Sequence, residues 1–485
     1  MMTQEQENFI NDYLKQLING DAAIFAGAGL SVGAGFVNWR GLLEDIAKDV
    51  GLEVDREKDL ISLAQFHVNE KGGRGKLNQR IIEEFTENVE LTENHKILAR
   101  LPIHNFWTTN YDSLIETSLE QASKRVDVKH QASQLATQVY RRQAVVYKMH
   151  GDAKSAAQAT LTKDDYENYH RKNEGFITAL SSDLVSKTFL FVGFSFTDPN
   201  LDYILSRVRL FLDGNTRPHF CIIKKVNRED ADCPTEGDFV YNTRRQQLML
   251  LDLRRFQIQP VLVDEYEEFT EILRELETRL KRNTIFISGS AAQYTPYSED
   301  ESLEFIHELS RKLVEQKYSV VNGFGLGIGS AVINGALEAV YNAPQRFSEE
   351  QLIMRPFPQK KTGTSAQELG DLWRVYRERM ISFAGIAVFV FGNKLVGGNP
   401  EPELADGVRK EFAIAKAQGV VLLPIGATGS VAQELWNDMQ GSSNQFPSDD
   451  PEVEKLFLSL GDSEKPLKAH LKTILSLVSK FNHRS

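Results

Sequence analysis

Short apolar runs alternate along this chain with longer stretches in which apolar side chains recur at i, i+3 and i+4. The runs at 22–26, 105–109, 144–149, 188–193, 219–223 and 259–263 read as buried strands, and 5–18, 39–50 and 60–69 as amphipathic helices packed on them. Strand and helix in alternation predict an α/β fold with a parallel, doubly wound sheet of Rossmann type. The segment 71–76, KGGRGK, reads as a loop, and Asp198-Pro199 as a helix start with an aspartate cap and a proline in the first turn. Phe269, Ile272, Leu273, Leu276 and Leu280 share one helical face with acidic residues opposite, and Arg279, Lys281 and Arg282 suit the negative end of that helix. This helix closes a first domain, 1–283. The pattern then restarts in 284–485, with strands at 284–287, 319–322, 386–391 and 420–425 and a helix near 300–315, so a second, smaller α/β sheet is expected.

Where the strands end, the residues change character. The first breaks into Gly27-Ala28-Gly29 with Ser31 just after, a turn whose small residues let a backbone approach a phosphate and whose amides carry partial positive charge. Trp107-Thr108-Thr109-Asn110-Tyr111-Asp112 and Met149-His150-Gly151-Asp152 follow two further strands, so all three segments open on one carboxyl edge, where such sheets bind ligands. Read singly, an Asn after a strand is a turn former, a His before Gly ends a strand, and Asp112 caps the helix that follows it. In the second half, Ser288-Gly289-Ser290 and the glycine ladder Gly323, Phe324, Gly325, Gly327, Gly329 again suit phosphate. Arg374, Arg377 and Arg379 on a helix, Lys394 after a strand and Glu411 supply the charges of a nucleotide pocket, the acid as an acceptor for ribose hydroxyls. A charged helix face explains Arg374 and Arg379 as well.

Composition narrows the function class. A chain of 485 residues suits two large domains, and a net charge of −11 without a long basic run argues against nucleic acid as a partner. Two cysteines, Cys221 and Cys233, cannot form a four-thiolate zinc site, so no metal is expected. They also fit a reducing, cytoplasmic location better than a disulfide framework. The N-terminal stretch is no signal peptide, and no apolar run approaches the roughly 20 residues that span a bilayer.

GAGLS, TTNYD and HGD, in this order and spacing, resemble the NAD-binding and catalytic motifs of sirtuins, and FVGFSFTDPNL at 191–201 is similar to a later segment of bacterial sirtuin-like domains. Over nearly its whole length the chain resembles the effectors of the Thoeris antiphage system, which join a sirtuin-like domain to a C-terminal SLOG domain. The resemblance implies NAD as substrate, with its pyrophosphate over Gly27, Ala28, Gly29 and Ser31. It assigns Ser195, Asp198 and Asn200 to the adenosine-ribose side, although helix capping explains Asp198 equally well. Breaking the nicotinamide–ribose bond needs a stabilised oxocarbenium-like transition state and an oriented nucleophile more than acid help, because nicotinamide leaves neutral from a cationic ring. Asn110 then holds ribose hydroxyls or water, His150 acts as general base, and Asp112 binds the carboxamide or orients the site.

The zinc module of classical deacylases is absent, and Gly35-Phe36-Val37-Asn38-Trp39 replaces their proline-aspartate-phenylalanine-arginine run. Water therefore becomes the expected acceptor, and the expected reaction is NAD hydrolysis. A deacylase, an ADP-ribosyltransferase and a non-catalytic nucleotide sensor stand as alternatives. For the second domain the resemblance implies that the ligand is a cyclic ADP-ribose isomer made by a TIR-domain partner and that Arg377, Lys394 and Glu411 bind it, beside the phosphate-binding turns of Gly289, Ser290, Gly323, Phe324, Gly325 and Gly327. It further implies that this ligand switches on NAD cleavage in a homotetramer able to extend into filaments. The PGGxGTxxE segment of nucleotide-cleaving SLOG relatives is missing, so binding is expected there and not catalysis.

Overall fold

The computed structural model describes residues 2–87, 89–211, 217–358, 365–396, 401–440 and 450–482. The chain divides into two compact units, Met1–Glu277 and Thr278–Ser485, and the division falls within the helix Tyr266–Arg282.

In the first unit, β1 (Ala22–Ala26), β2 (Asn105–Thr108), β3 (Val126–Lys129), β4 (Ala144–Lys148), β5 (Thr188–Val192), β6 (His219–Lys224) and β7 (Ile258–Val263) form one sheet in the order β3-β4-β2-β1-β5-β6-β7. Every pairing is parallel. From β1 the chain passes to β2, on to the edge strand β3 and back to β4 between them, then crosses to β5 on the other side of β1. The crevice between the carboxyl ends of β1 and β5 is therefore a topological switch point, where parallel sheets accept ligands. β1 and β5 are buried throughout, as expected of central strands covered by helices on both faces. Helix Gln4–Asn19 packs Phe9 on Phe220 and begins with a Thr3/Gln6 capping box.

Two local differences from expectation have simple causes. The KGGRGK loop is shorter than expected: Gly75 and Lys76 already belong to helix Gly75–Phe85, whose Leu77 and Ile81 are buried. Arg74 anchors that start by binding both carboxylate oxygens of Asp165, at 3.0 and 2.8 Å. Strand β3, VDVK, carries too much charge to read as a strand. Its Asp127 and Lys129 are buried against each other at 2.8 Å.

In the second unit, β8 (Thr284–Ser290), β9 (Ser319–Asn322), β10 (Leu352–Met354), β11 (Ile386–Phe391) and β14 (Val421–Pro424) form a parallel sheet in the order β10-β9-β8-β11-β14. A two-stranded antiparallel ribbon of β12 (Asn393–Lys394) and β13 (Glu403–Leu404) stands beyond β11. The core draws on Ile285, Phe286, Val320, Val388 and Phe389 of the strands and on Phe305, Leu309 and Leu313 of the helix Glu299–Glu315. Its switch point lies between β8 and β11.

Candidate active site

At the first switch point the turns after β1 and β5 interlock. Gly27 N–H donates to the Val192 carbonyl and Gly29 N–H to the Gly193 carbonyl, both at 2.9 Å. A Cβ on Gly27 would lie 2.5 Å from the Gly193 oxygen, and one on Gly193, whose φ is +60°, would lie 2.2 Å from Leu30 N. The glycines are thus required by the approach of one turn to the other. Two amides expected to face a pyrophosphate are spent on that contact.

Asn110 and Asp112 follow β2. The Asn110 Nδ2 donates to the Gly27 carbonyl and to Ser31 Oγ, both at 3.0 Å, and Ser31 Oγ donates to Asp112 Oδ2 at 2.8 Å. The carbonyl acceptor fixes which end of the amide is nitrogen, and both its protons are engaged, so Asn110 can offer a ligand only its Oδ1. Asp112 also accepts from Leu114 N at 3.0 Å at the start of helix Leu114–Gln121, so it caps a helix and orients Ser31 at once. Ala28 lies in the short helix Ala28–Val32 with Ser31 buried.

His150 follows β4. Its ring is buried edge-on to Tyr166 and Tyr169, with centroids at 5.5 and 6.0 Å. Among the described residues neither ring nitrogen has a hydrogen-bond partner, although Nε2 lies 3.3 Å from Asp198 Oδ2. Burial lowers the imidazole pKa below 6.5, and Asp198 opposes this only in part, so the ring is neutral and able to accept a proton at pH 7. Asp198 caps helix Pro199–Phe211 through Leu201 N at 3.0 Å and accepts from the Tyr166 hydroxyl at 3.1 Å. It stands beside His150. Asn200 is buried with no hydrogen-bond partner for its Nδ2 among the described residues, whereas Ser195 is exposed and bonded to Thr197 Oγ1 at 2.8 Å.

Beneath these groups lies Lys148, the last residue of β4, which the strand pattern did not single out. Its ammonium bonds Glu116 at 2.9 Å and Asp152 at 2.5 Å. Burial disfavours its charge, but the two carboxylates outweigh this and hold its pKa above the ordinary lysine value. The available signal was a charged residue ending an otherwise apolar strand two positions before His150.

The second unit builds a different edge. Gly325 passes so close to β8 that a Cβ would lie 2.0 Å from the Gly289 oxygen, and Ala291 N–H donates to the Leu326 carbonyl at 2.8 Å. A Cβ on Gly327 would lie 1.9 Å from the Ala291 oxygen, and one on Gly323 would lie 2.9 Å from the Phe357 ring. Phe324 takes φ +61° and is 54% exposed. Glu411 is buried, accepts from Ser288 Oγ at 2.6 Å, and pairs with Arg377 Nε at 3.3 Å. Its carboxyl is raised by burial, which Ser288 and Arg377 partly offset. The Arg377 guanidinium lies 4.7 Å from the centre of the Phe357 ring. Arg374 pairs with Glu378 at 3.0 Å on the exposed face of the same helix. Lys394 lies in the ribbon opposite Glu403, and Ser290 Oγ donates to the Asn393 carbonyl at 3.1 Å. Asn393, missed in the sequence, accepts from Ala292 N at 2.8 Å and Gln293 N at 3.0 Å and so shapes the turn after β8.

Among the described residues, no group of three or more His, Cys, Asp or Glu is placed to hold a metal ion, and no helix is long and apolar enough to cross a membrane.

Residues 104–239 match a family model described as SIR2-like domain, and residues 268–481 match one described as the Sir2- and TIR-associating SLOG family, STALD. The NAD(+) hydrolase ThsA of Bacillus cereus (strain MSX-D12) is 48% identical, with 97% of this chain and 98% of that protein covered. The proteins of the same name from Cytobacillus dafuensis and Acinetobacter baumannii (strain 532279) are 46% and 43% identical, covering 99% and 96% of this chain and 97% and 98% of their own. With a SIR2-like sheet, a SLOG sheet and relatives this similar along nearly their full length, the chain belongs to the ThsA family of NAD(+) hydrolases.

Proposed function

We propose that 1–283 hydrolyses NAD to nicotinamide and ADP-ribose, and that 284–485 binds a cyclic ADP-ribose isomer that switches this activity on. One observation carries the catalytic reading: a neutral, unbonded imidazole and an asparagine locked with its acceptor end available stand at the ends of adjacent strands β4 and β2. In the reaction, water adds to the ribose carbon as its bond to the nicotinamide nitrogen breaks. The bonding pair leaves with nicotinamide, neutralising its ring, and the proton lost by water passes to His150. Asn110 Oδ1 accepts from the attacking water or a ribose hydroxyl, and Asp112 keeps Ser31 and Asn110 in register. Gly27, Ala28, Gly29 and Ser31 line the pyrophosphate, and Ser195, Asp198 and Asn200 line the ribose beyond it.

In the second domain, Arg377 and Lys394 meet the ligand's phosphates and Glu411 its ribose hydroxyls. Gly289, Ser290, Gly323, Phe324, Gly325 and Gly327 provide the surface against which it lies. Because ligand phosphate competes with Glu411 for Arg377, binding is coupled to breaking that pair. The activator is made by a TIR-domain partner on infection, the working assembly is a cytoplasmic homotetramer able to form filaments, and the outcome is NAD depletion in antiphage defence. The test is nicotinamide release from NAD by the purified chain, with and without cyclic ADP-ribose isomers, beside Asn110→Ala and Arg377→Ala. Activator-dependent release that disappears in both variants supports the reading. Binding of both nucleotides with no nicotinamide under any condition replaces it with a non-catalytic sensor.

A further inference from the structure

Asn110 and His150 sit on loops, and the geometry of loop residues is only as fixed as the groups that tie them down. Lys148 has 0% exposed surface. Its ammonium has three protons, and four acceptors converge on it: the carbonyls of Tyr111 at 3.1 Å and Asp112 at 2.5 Å, Glu116 Oε1 at 2.9 Å and Asp152 Oδ2 at 2.5 Å. Tyr111 and Asp112 directly follow Asn110, and Asp152 stands two residues after His150. Glu116 belongs to helix Leu114–Gln121, whose first turn Asp112 caps, so the Asn110 loop and the helix after it meet the same ammonium. Asp152 in turn accepts from Lys154 N at 2.8 Å, which fixes the chain leaving the His150 loop.

A buried charge is costly even when paired, and an apolar side chain of similar volume would serve packing as well or better. What an apolar side chain cannot supply is directional bonding to two loops at once. We propose that Lys148 is the positioning residue of this active site, its ammonium holding the Asn110 loop and the His150 loop at one fixed separation. The inference rests on the assignment of Asn110 and His150 to catalysis. A second buried lysine in the same sheet makes the comparison: Lys129 bonds Asp127 at 2.8 Å and the Thr137 carbonyl at 2.5 Å, on edge strand β3. It ties down a segment that carries no proposed catalytic residue.

The experiment pairs Lys148→Met/Glu116→Leu, which removes the ammonium together with a carboxylate it would otherwise leave unpaired, with Lys129→Met. Nicotinamide release is measured alongside amide hydrogen exchange of peptides covering 109–113 and 150–153. For the Lys148 double variant, kcat falls about 100-fold with KM changed by less than about threefold, and both loops exchange about tenfold faster or more. Lys129→Met loses thermal stability but keeps kcat within about threefold, with faster exchange confined to its own edge. Unchanged protection of both loops, or a kcat within about threefold of wild type in the folded double variant, overturns the proposal. If the wild-type chain releases no nicotinamide, the catalytic assignment falls, and loop exchange by itself still decides whether Lys148 ties the two segments. Should the double variant fail to fold, Asp152→Asn keeps the shape and the bond from Lys154 while weakening the ammonium contact. Its expected kcat loss is about tenfold, and no loss overturns the proposal.

Discussion

The two sheet edges share a construction and differ in chemistry. In both, glycines let one turn lie against its neighbour: Gly27 and Gly29 against Gly193 in the first unit, Gly325 and Gly327 against Gly289 and Ala291 in the second. In both, an asparagine at a strand end reaches across to the adjoining strand or its turn. Asn110 donates to the Gly27 carbonyl at 3.0 Å, and Asn322 donates to the Ile287 carbonyl at 2.8 Å while accepting from Phe324 N at 2.7 Å. The first edge then adds an unbonded imidazole. The second adds an arginine paired with a carboxylate, groups suited to anions and hydroxyls, with the carboxylate already engaged by Ser288 and Arg377. A glycine turn at a switch point makes a place for a nucleotide, and the side chains beside it decide whether anything happens to the ligand.

Substitutions at matching places separate the two edges, and the largest effect is expected at Asn110. Asn110→Ala lowers kcat for nicotinamide release by about 1000-fold, in the range seen when a preorganised polar group is lost from a transition state. Steady-state assays at saturating NAD measure it. Next comes Gly325→Ala, whose Cβ would lie 2.0 Å from a backbone oxygen. It costs the second unit about 3 kcal/mol or more, read as an earlier denaturant midpoint for that unit, with the first unit's transition unmoved.

Acidification distinguishes the units by their histidines. Burial lowers the pKa of His95, His130, His150 and His219 in the first unit, to about 4 for His95 and His219, and that of His470 in the second. A lowered imidazole pKa means that the unfolded chain binds the proton first. Stability is therefore retained above about pH 6.5 and falls as pH drops from there toward about 4, by roughly 3 kcal/mol at the limit for each of His95 and His219. Calorimetry across this range should show the first unit melting earlier while the second moves less, and kcat/KM should keep its acid limb below pH 6.5. The smallest effect is expected for Asn322→Ala, which leaves the buried Ile287 carbonyl without its donor and costs the second unit about 2 kcal/mol with no loss of maximal kcat.

Much of both sheets was legible in the sequence because their central strands are apolar on both faces, so β1, β2, β4, β5, β8, β9 and β11 stand out as runs. The edges were not. β3 hides two buried charges that satisfy each other, and β10 is only three residues long. The candidate catalytic residues were legible as strand-end motifs. What surrounds them was not, since a sequence does not tell which partner a buried polar group finds. Lys148 lay inside the run 144–149 and drew no notice, and Asp198 read as a helix cap, which it is, without its place beside His150. The amides of Gly27 and Gly29 read as free for phosphate, yet the structure commits them to the end of β5 and the turn after it.

That commitment has a consequence for anyone who would move this edge into another protein. The turn after β1 and the turn after β5 are separated by more than one hundred and fifty residues in the chain, yet neither has room for its neighbour unless both lack side chains. They form one part made from two pieces. A graft of the glycine motif alone would carry half of a joint, and the half left behind is the one that gives it its shape.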